Sequence, residues 1–367
     1  MSTRNQRILL LVTGLVIGAI AVALVWFGNP KNMGFCIACF IRDIAGGIGL
    51  HRAEPVQYIR PEIIGMVLGT FLVAAGAKEF KVRGGSSPVL RFVLGFVMMV
   101  GALMFLGCPL RMILRLAGGD MNALFGLAGF VGGILVGIFF LNRGFTLKRT
   151  YTMPVLEGFA LPAGVVALLL FLVAGASFLF FSVEGPGSMH APVAIALVAG
   201  LVVGALAQRS RLCMAGGIRD VLLFKDPTLL LGFLGIFAAA LVGNLALGYF
   251  NLGFADQPVA HTDGVWNFLG MVVVGFAAVL LGGCPLRQLV LAGEGNSDSV
   301  LTVLGMLVGA ACCHNFKLAS SAEGPTPNGK IAVIIGLVIL VLVAVLNSEL
   351  LKKKVGASSG KGAAQAE

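Results

Sequence analysis

The chain has 367 residues, of which 58% are hydrophobic and only 11% charged, and its formal net charge is +10. A mean hydropathy of +0.99 excludes a water-soluble domain, so the backbone must satisfy its polar groups inside a bilayer. Most of the basic residues fall in short loops beside apolar runs, where they set orientation. The positive charge therefore implies no nucleic-acid partner.

The first apolar run, 8–28, follows Arg4 and Arg7. It is too long for a signal peptide and lacks a clean small-residue cleavage site, so it reads as a retained helix. Further runs near 61–77, 89–107, 121–141 and 160–181 complete the first half. The second half gives 191–208, 229–250, 265–283, 299–316 and 331–348. Each is about the length that a helix needs to cross the hydrocarbon core. The stretches 33–50, 109–118, 211–224 and 285–293 are too short or too polar to span and read as re-entrant helices. Irregular backbone at that depth is tolerated only where it is buried in protein or lines a cavity. The expected fold is an all-α integral membrane protein with about ten transmembrane helices plus four short re-entrant helices. The 52 glycines suit close helix packing.

The halves repeat. Gly107-Cys108-Pro109-Leu110-Arg111 recurs as Gly283-Cys284-Pro285-Leu286-Arg287, at an offset of 176. Phe35 to Asp43 (FCIACFIRD) aligns with Leu212 to Asp220 (LCMAGGIRD) at an offset of 177, with five identities in nine. One insertion separates the two registers, so the whole half is duplicated. The expected units are a first repeat over 1–183, a second over 184–351, and a disordered cytoplasmic tail over 352–367, all in one transmembrane domain. Five spans per repeat force the copies into inverted orientations. Lys and Arg crowd the loops at 78–88, 142–155 and 209–228 and the tail, whereas 182–190 and 251–264 contain none. By the positive-inside rule both termini are cytoplasmic.

In each Gly-Cys-Pro-Leu-Arg string the Cys falls near a helix N-cap and Pro at the first helical position, where its missing N–H costs nothing. Free backbone N–H groups and the positive end of the helix dipole then face the sulfur and attract negative charge. Arg111 and Arg287, three residues on, share nearly the same face, and an Arg in a membrane needs a cavity or a counter-ion. The bland alternative is a small buried Cys beside a helix-starting Pro, which two copies with a repeated Arg make less economical. Cys36 and Cys213 occupy the other repeated element, with Arg42 and Arg219 close by. Asp43 and Asp220 read as local salt-bridge partners of those arginines.

Cys36-x-x-Cys39 invites a redox or metal reading, but Gly216 stands where Cys39 would be in the second copy. Cys39 therefore reads as an auxiliary thiol. A zinc site would need about four good ligands, and none is assembled, so no metal and no cofactor are expected. Cys312, Cys313 and His314 read as a packed span end, and His51, His190 and His261 as isolated loop residues. The absence of a Walker motif, of mid-span carboxylates and of any Ser/His/Asp arrangement points away from an enzyme, an ATPase or a carboxylate-relay pump.

These residues resemble a known family. The duplicated Cys elements, the two GCPLR strings and their continuations LAGGD (Leu116 to Asp120) and LAGEG (Leu291 to Gly295) are similar to YeeE/YedE membrane proteins of bacterial sulfur transport. The stretch NPKNMGFCIACFIRDIAGGIGLH, 29–51, is most similar to the YedE branch, associated with selenium transport. The resemblance covers nearly all of 8–348. It implies an hourglass path through the bacterial inner membrane, with short helices of the two halves meeting at a waist. It implies uptake of a small sulfur- or selenium-containing anion, thiosulfate or a selenium compound, by relay along cysteine thiols. Carried over by position, Cys36, Cys108, Cys213 and Cys284 are the path thiols, and a TusA-like cytoplasmic thiol protein is the implied partner. The residues themselves place Arg42, Arg111, Arg219 and Arg287 beside that path, and the extra Cys39 departs from the symmetric pattern. Two other classes stay open: a membrane thiol-disulfide oxidoreductase and a soft-metal ion transporter, the latter disfavoured by the arginines.

Overall fold

The computed structural model describes residues 3–350; the expected tail lies outside the described residues. Ten long helices are present among the described residues. The first half holds α1 (Thr3–Trp26), α3 (Pro61–Gly76), α4 (Pro88–Phe105), α6 (Asn122–Leu141) and α7 (Val155–Val173). The second holds α8 (Val193–Ser210), α10 (Leu230–Ala246), α11 (Gly264–Leu281), α13 (Ser297–Asn315) and α14 (Pro327–Leu346). Four short helices interleave with them: α2 (Ile37–Gly47), α5 (Pro109–Ala117), α9 (Met214–Phe224) and α12 (Pro285–Gly293). Nine described segments are long and apolar enough to cross a membrane, and α10, with 17 residues, falls just short by length. The chain is an all-helical, multi-pass membrane protein.

Helix starts follow local chemistry. Pro61, Pro88, Pro109, Pro285 and Pro327 each open a helix, where a missing N–H is free of cost. The helix α7 departs most from its expected span of 160–181. It begins earlier, at Val155 after Pro154, and carries Pro162 within it. It stops at Val173 because Gly175 takes φ +63, a left-handed turn that suits glycine.

Loop contacts sort the helix ends onto two faces. Arg83 pairs with Thr152, where β1 (Arg83–Gly84) meets β2 (Tyr151–Thr152), and bridges to Asn296. The starts of α4, α7 and α13 therefore share a first face. Glu349 N donates to Arg143 O at 2.9 Å, adding the ends of α6 and α14. On the second face, Met121 N donates to Gly253 O at 3.0 Å, joining the start of α6 to the loop before α11. So α4 begins on the first face and its repeat counterpart α11 begins on the second, as inverted copies require.

Packing repeats the same exchange. The helix α1 lies along α10 while α3 lies along α8, and α4 lies along α13 while α6 lies along α11. Glycines permit the close approach: a Cβ on Gly69 would collide with the Leu201 carbonyl of α8, and one on Gly133 with the Val272 carbonyl of α11. Without a hydrophobic drive between helices in lipid, this contact is what packing can use. The last helices break the symmetry, since α7 packs on α3 whereas α14 packs on α4 and α11. The short helices of the two halves also touch, α2 with α12 and α5 with α9.

Candidate functional site

Each short helix is capped by a cysteine. Cys36 and Cys213 are the N-caps of α2 and α9, and their sulfurs accept from the backbone N–H of Cys39 at 3.3 Å and of Gly216 at 3.2 Å. Cys108 and Cys284 cap α5 and α12 ahead of Pro109 and Pro285 and make no side-chain cap bond. The cap sulfurs thus sit at the positive ends of four helices.

The fold gathers them into two clusters. In the first, Cys36 Sγ lies 2.8 Å from Cys39 Sγ and 3.9 Å from Cys108 Sγ. In the second, Cys213 Sγ lies 4.0 Å from Cys284 Sγ. All five thiols are buried. Each cluster joins the two repeated elements of one half, brought together across more than seventy residues of sequence. Among the described residues, no three His, Cys, Asp or Glu side chains are set to hold a metal ion.

The arginines differ between halves. Arg111 is fully buried and donates Nη1 to Cys39 Sγ at 3.7 Å. Its other donors reach the carbonyls of Asn32 at 3.0 Å, Val259 at 3.1 Å, Pro258 at 3.3 Å and Leu106. Among the described residues no carboxylate lies within ion-pair distance of it. Arg287 instead pairs with Glu294 at 3.2 Å, with 13% of its side chain exposed. Arg42 binds Asp43 at 2.7 Å, and Arg219 binds Asp220 at 2.8 Å with 30% of its side chain exposed. The two Arg-Asp pairs are thus the local bridges the sequence suggests.

A cavity of about 520 Å³ opens beside the first cluster. Arg42, Leu106, His314 and Lys317 line it, and the Leu106 carbonyl is the group to which Arg111 and the Cys39 thiol donate. Its other walls include Ser320, Ser321 and Thr326 from the α13–α14 loop, so it belongs to the second face.

Several partners escape sequence reasoning. Arg60 closes on Asp43 at 2.7 Å, and Arg115 on Asp120 at 2.6 Å, both pairs fully buried. The histidines are not isolated. His51 packs against His314 at 4.6 Å with the rings tilted by 32°, His190 stacks on Tyr58 at 4.0 Å, and His261 Nε2 lies 2.8 Å from the Met104 carbonyl. Nothing in the sequence signals the His51–His314 contact, because its members come from different repeats at positions that are not equivalent.

Comparison with known proteins fits this geometry. Residues 209–358 match the family described as Sulphur transport. That match falls on the second repeat, which is therefore similar to the sulphur transport family. The thiosulfate transporter TsuA of Spirochaeta thermophila is 33% identical over 114 residues, covering 31% of this chain and 34% of the relative. The thiosulfate transporter TsuA of Escherichia coli is 28% identical over 127 residues, 34% of each chain. The matched segments thus span about a third of the length of these curated relatives. The matched family range includes both thiols of the second cluster, Cys213 and Cys284. Together these likenesses support the YeeE/YedE reading of the GCPLR strings.

Proposed function

We propose that this protein carries a small sulfur-containing anion across the bilayer, passing it from the first thiol cluster to the second. The observation that carries the reading is the gathering of five buried thiols into two groups, each at paired helix N-termini. A thiol donates a weak hydrogen bond, suited to a soft sulfur or selenium atom that must be released again. Weak sites in series permit passage, where one tight site would trap the ion. Arg111, with no carboxylate partner, supplies attraction for the anion at the first cluster. At the second, Arg219 and Arg287 are each balanced by a carboxylate, which favours release. The names of the TsuA relatives support thiosulfate as the cargo; a selenium-containing anion is the variant suggested by the resemblance of the 29–51 stretch.

The orientation follows from the basic loops: both termini in the cytoplasm, the protein in the inner membrane, and movement inward past Cys36 or Cys108, then Cys284 and Cys213. The repeats divide near residue 183, and a TusA-like thiol protein receives the cargo inside. Uptake of radiolabelled thiosulfate and selenite into proteoliposomes tests this. Entry of one of them, abolished in Cys108→Ala and Cys284→Ala, is the expected result. Normal uptake by either variant would sink the relay.

A further inference from the structure

The first cluster contains something the second lacks. Cys36 caps α2 and Cys39 lies in its first turn, with their sulfurs 2.8 Å apart, against 3.9 Å for Cys36–Cys108 and 4.0 Å for Cys213–Cys284. A Cys-x-x-Cys pair whose first member opens a helix is an arrangement suited to reversible oxidation. In the second repeat Gly216 takes the place of Cys39, so transport over paired thiols does not by itself call for a dithiol within one helix turn. Arg111 donates to the Cys39 sulfur, a contact that suits the thiolate, the reactive form of cysteine. The cavity is lined by Arg42 and Leu106, and the Leu106 carbonyl oxygen lies 3.9 Å from Cys39 Sγ.

We propose that Cys36 and Cys39 form a thiol–disulfide redox site, oxidised by a small hydroperoxide that arrives through this cavity, and that oxidation closes the thiol path. The Cys39 thiol ionises and its thiolate attacks one peroxide oxygen; the O–O bond breaks, a sulfenic acid forms at Cys39, and the departing oxygen takes up the proton lost by the thiol to leave as the alcohol, or water. The Cys36 sulfur then attacks the Cys39 sulfur, the S–O bond breaks, and water leaves with the Cys36 proton. In sum, two thiols and one hydroperoxide give one disulfide, one alcohol or water, and a second water. The dithiol loses two electrons and the peroxide bond takes them. A small dithiol reverses the change by exchange. Buried thiols favour a small uncharged oxidant over a bulky disulfide. The proposed orientation places the site toward the oxidising side of the membrane. The closing of the path rests on the transport reading above; the redox site does not.

Two measurements separate those parts. Purified protein is treated with hydrogen peroxide, its remaining thiols are alkylated, and the peptides are weighed. The expected product is a Cys36–Cys39 link lacking two hydrogens, reversed by dithiothreitol and absent from Cys36→Ala and Cys39→Ala. Free, alkylated Cys36 and Cys39 after peroxide, or a Cys36–Cys108 link in their place, overturns the site. Thiosulfate uptake by proteoliposomes before and after peroxide reads the closure. The expected result is a loss restored by dithiothreitol and smaller, as a fraction, in Cys39→Ala. A disulfide that leaves uptake unchanged overturns closure alone. Absence of any uptake before treatment removes the transport reading and the closure with it, while the peptide masses still decide the redox site.

Discussion

Arg42 and Arg60 hold opposite oxygens of one carboxylate: Arg42 reaches Asp43 Oδ1 at 2.7 Å and Arg60 reaches Oδ2 at 2.7 Å. Both arginines and the aspartate are buried. Arg60 also donates to the Met189 and Pro186 carbonyls at 3.1 and 2.8 Å, tying α2 and the start of α3 to the loop between the halves. Removing the shared anion leaves two buried cations without their partner. Asp43→Asn should therefore cost about 3–5 kcal/mol, read as a large fall in Tm in detergent. The repeat counterpart, Asp220, faces a half-open Arg219, so Asp220→Asn should cost only about 0–1 kcal/mol. Equal losses in the two variants would show that burial does not set the value of these pairs.

That contrast shows how far the sequence could be read. Ten spans, four short helices and the Arg-Asp neighbours were legible because length, hydropathy and the internal repeat are local or periodic signals. The cysteines were legible because the repeat doubled them. Arg60 was not, since its partner lies seventeen positions away and the second repeat contains no equivalent pair. The His51–His314 contact, and the asymmetry between a paired Arg287 and an Arg111 held by carbonyls, depend on how loops of one half close over the other. No periodicity encodes that closure.

Arg111 and Arg287 should respond differently to a conservative change. Lysine offers a compact ammonium in place of the planar fork, and cannot span the carbonyls of Asn32, Leu106, Pro258 and Val259 together with the Cys39 sulfur. Arg111→Lys should lower initial uptake about tenfold, which is ~1.4 kcal/mol and near the value of one hydrogen bond to a charged group. Arg287→Lys keeps an ion pair with Glu294 in reach and should fall by less. Initial rates in proteoliposomes, with gel filtration to confirm folding, check the ordering; identical rates for both variants would contradict it.

Gly132 and Gly133 are adjacent on α6 and differ sharply. A Cβ on Gly133 would strike the Val272 carbonyl of α11, whereas one on Gly132 meets only the edge of Phe268 at 3.9 Å. Gly133→Val should destabilise by about 1–3 kcal/mol through overpacking, or abolish folding. Gly132→Val should be nearly silent. Thermal unfolding followed by gel filtration compares them directly, and a similar loss at both positions would show that the α6–α11 contact is looser than it stands here.

Outside the membrane spans, Asp226 accepts from the Thr228 hydroxyl and backbone N–H, and the Thr228 oxygen accepts from Arg7 at 3.3 Å. The Thr228 side-chain hydrogen bond, then its backbone one, holds the Asp226 carboxyl below its ordinary value of 3.8. A carboxyl depressed in the folded state stabilises above its unfolded pKa, and that contribution disappears as pH falls through the folded pKa. The Tm gap between the unmodified protein and Asp226→Asn should therefore be present at neutral pH and close in acid below 3.8. A gap that is independent of pH would assign the effect of the substitution to something other than this charge.

The asymmetry of the thiol clusters can be reversed by design. At Gly216 an added Cβ would lie 3.2 Å from the Cys213 Cβ and 3.1 Å from the end of the Leu229 side chain, a tight fit whose nearest neighbour is a flexible methyl. Gly216 is also the residue whose N–H caps onto the Cys213 sulfur, as Cys39 does onto Cys36. Gly216→Cys should therefore give the second repeat the same N-terminal dithiol. Peroxide should link Cys213 to the introduced thiol, and peptide masses should lack two hydrogens there as they do at Cys36–Cys39. Because α9 opens toward the first face and α2 toward the second, a membrane-impermeant reductant added to one side of sealed vesicles should reverse one link before the other. Simultaneous reversal of both would mean that the two clusters share a single solvent route, and inverted halves would then not imply separate access.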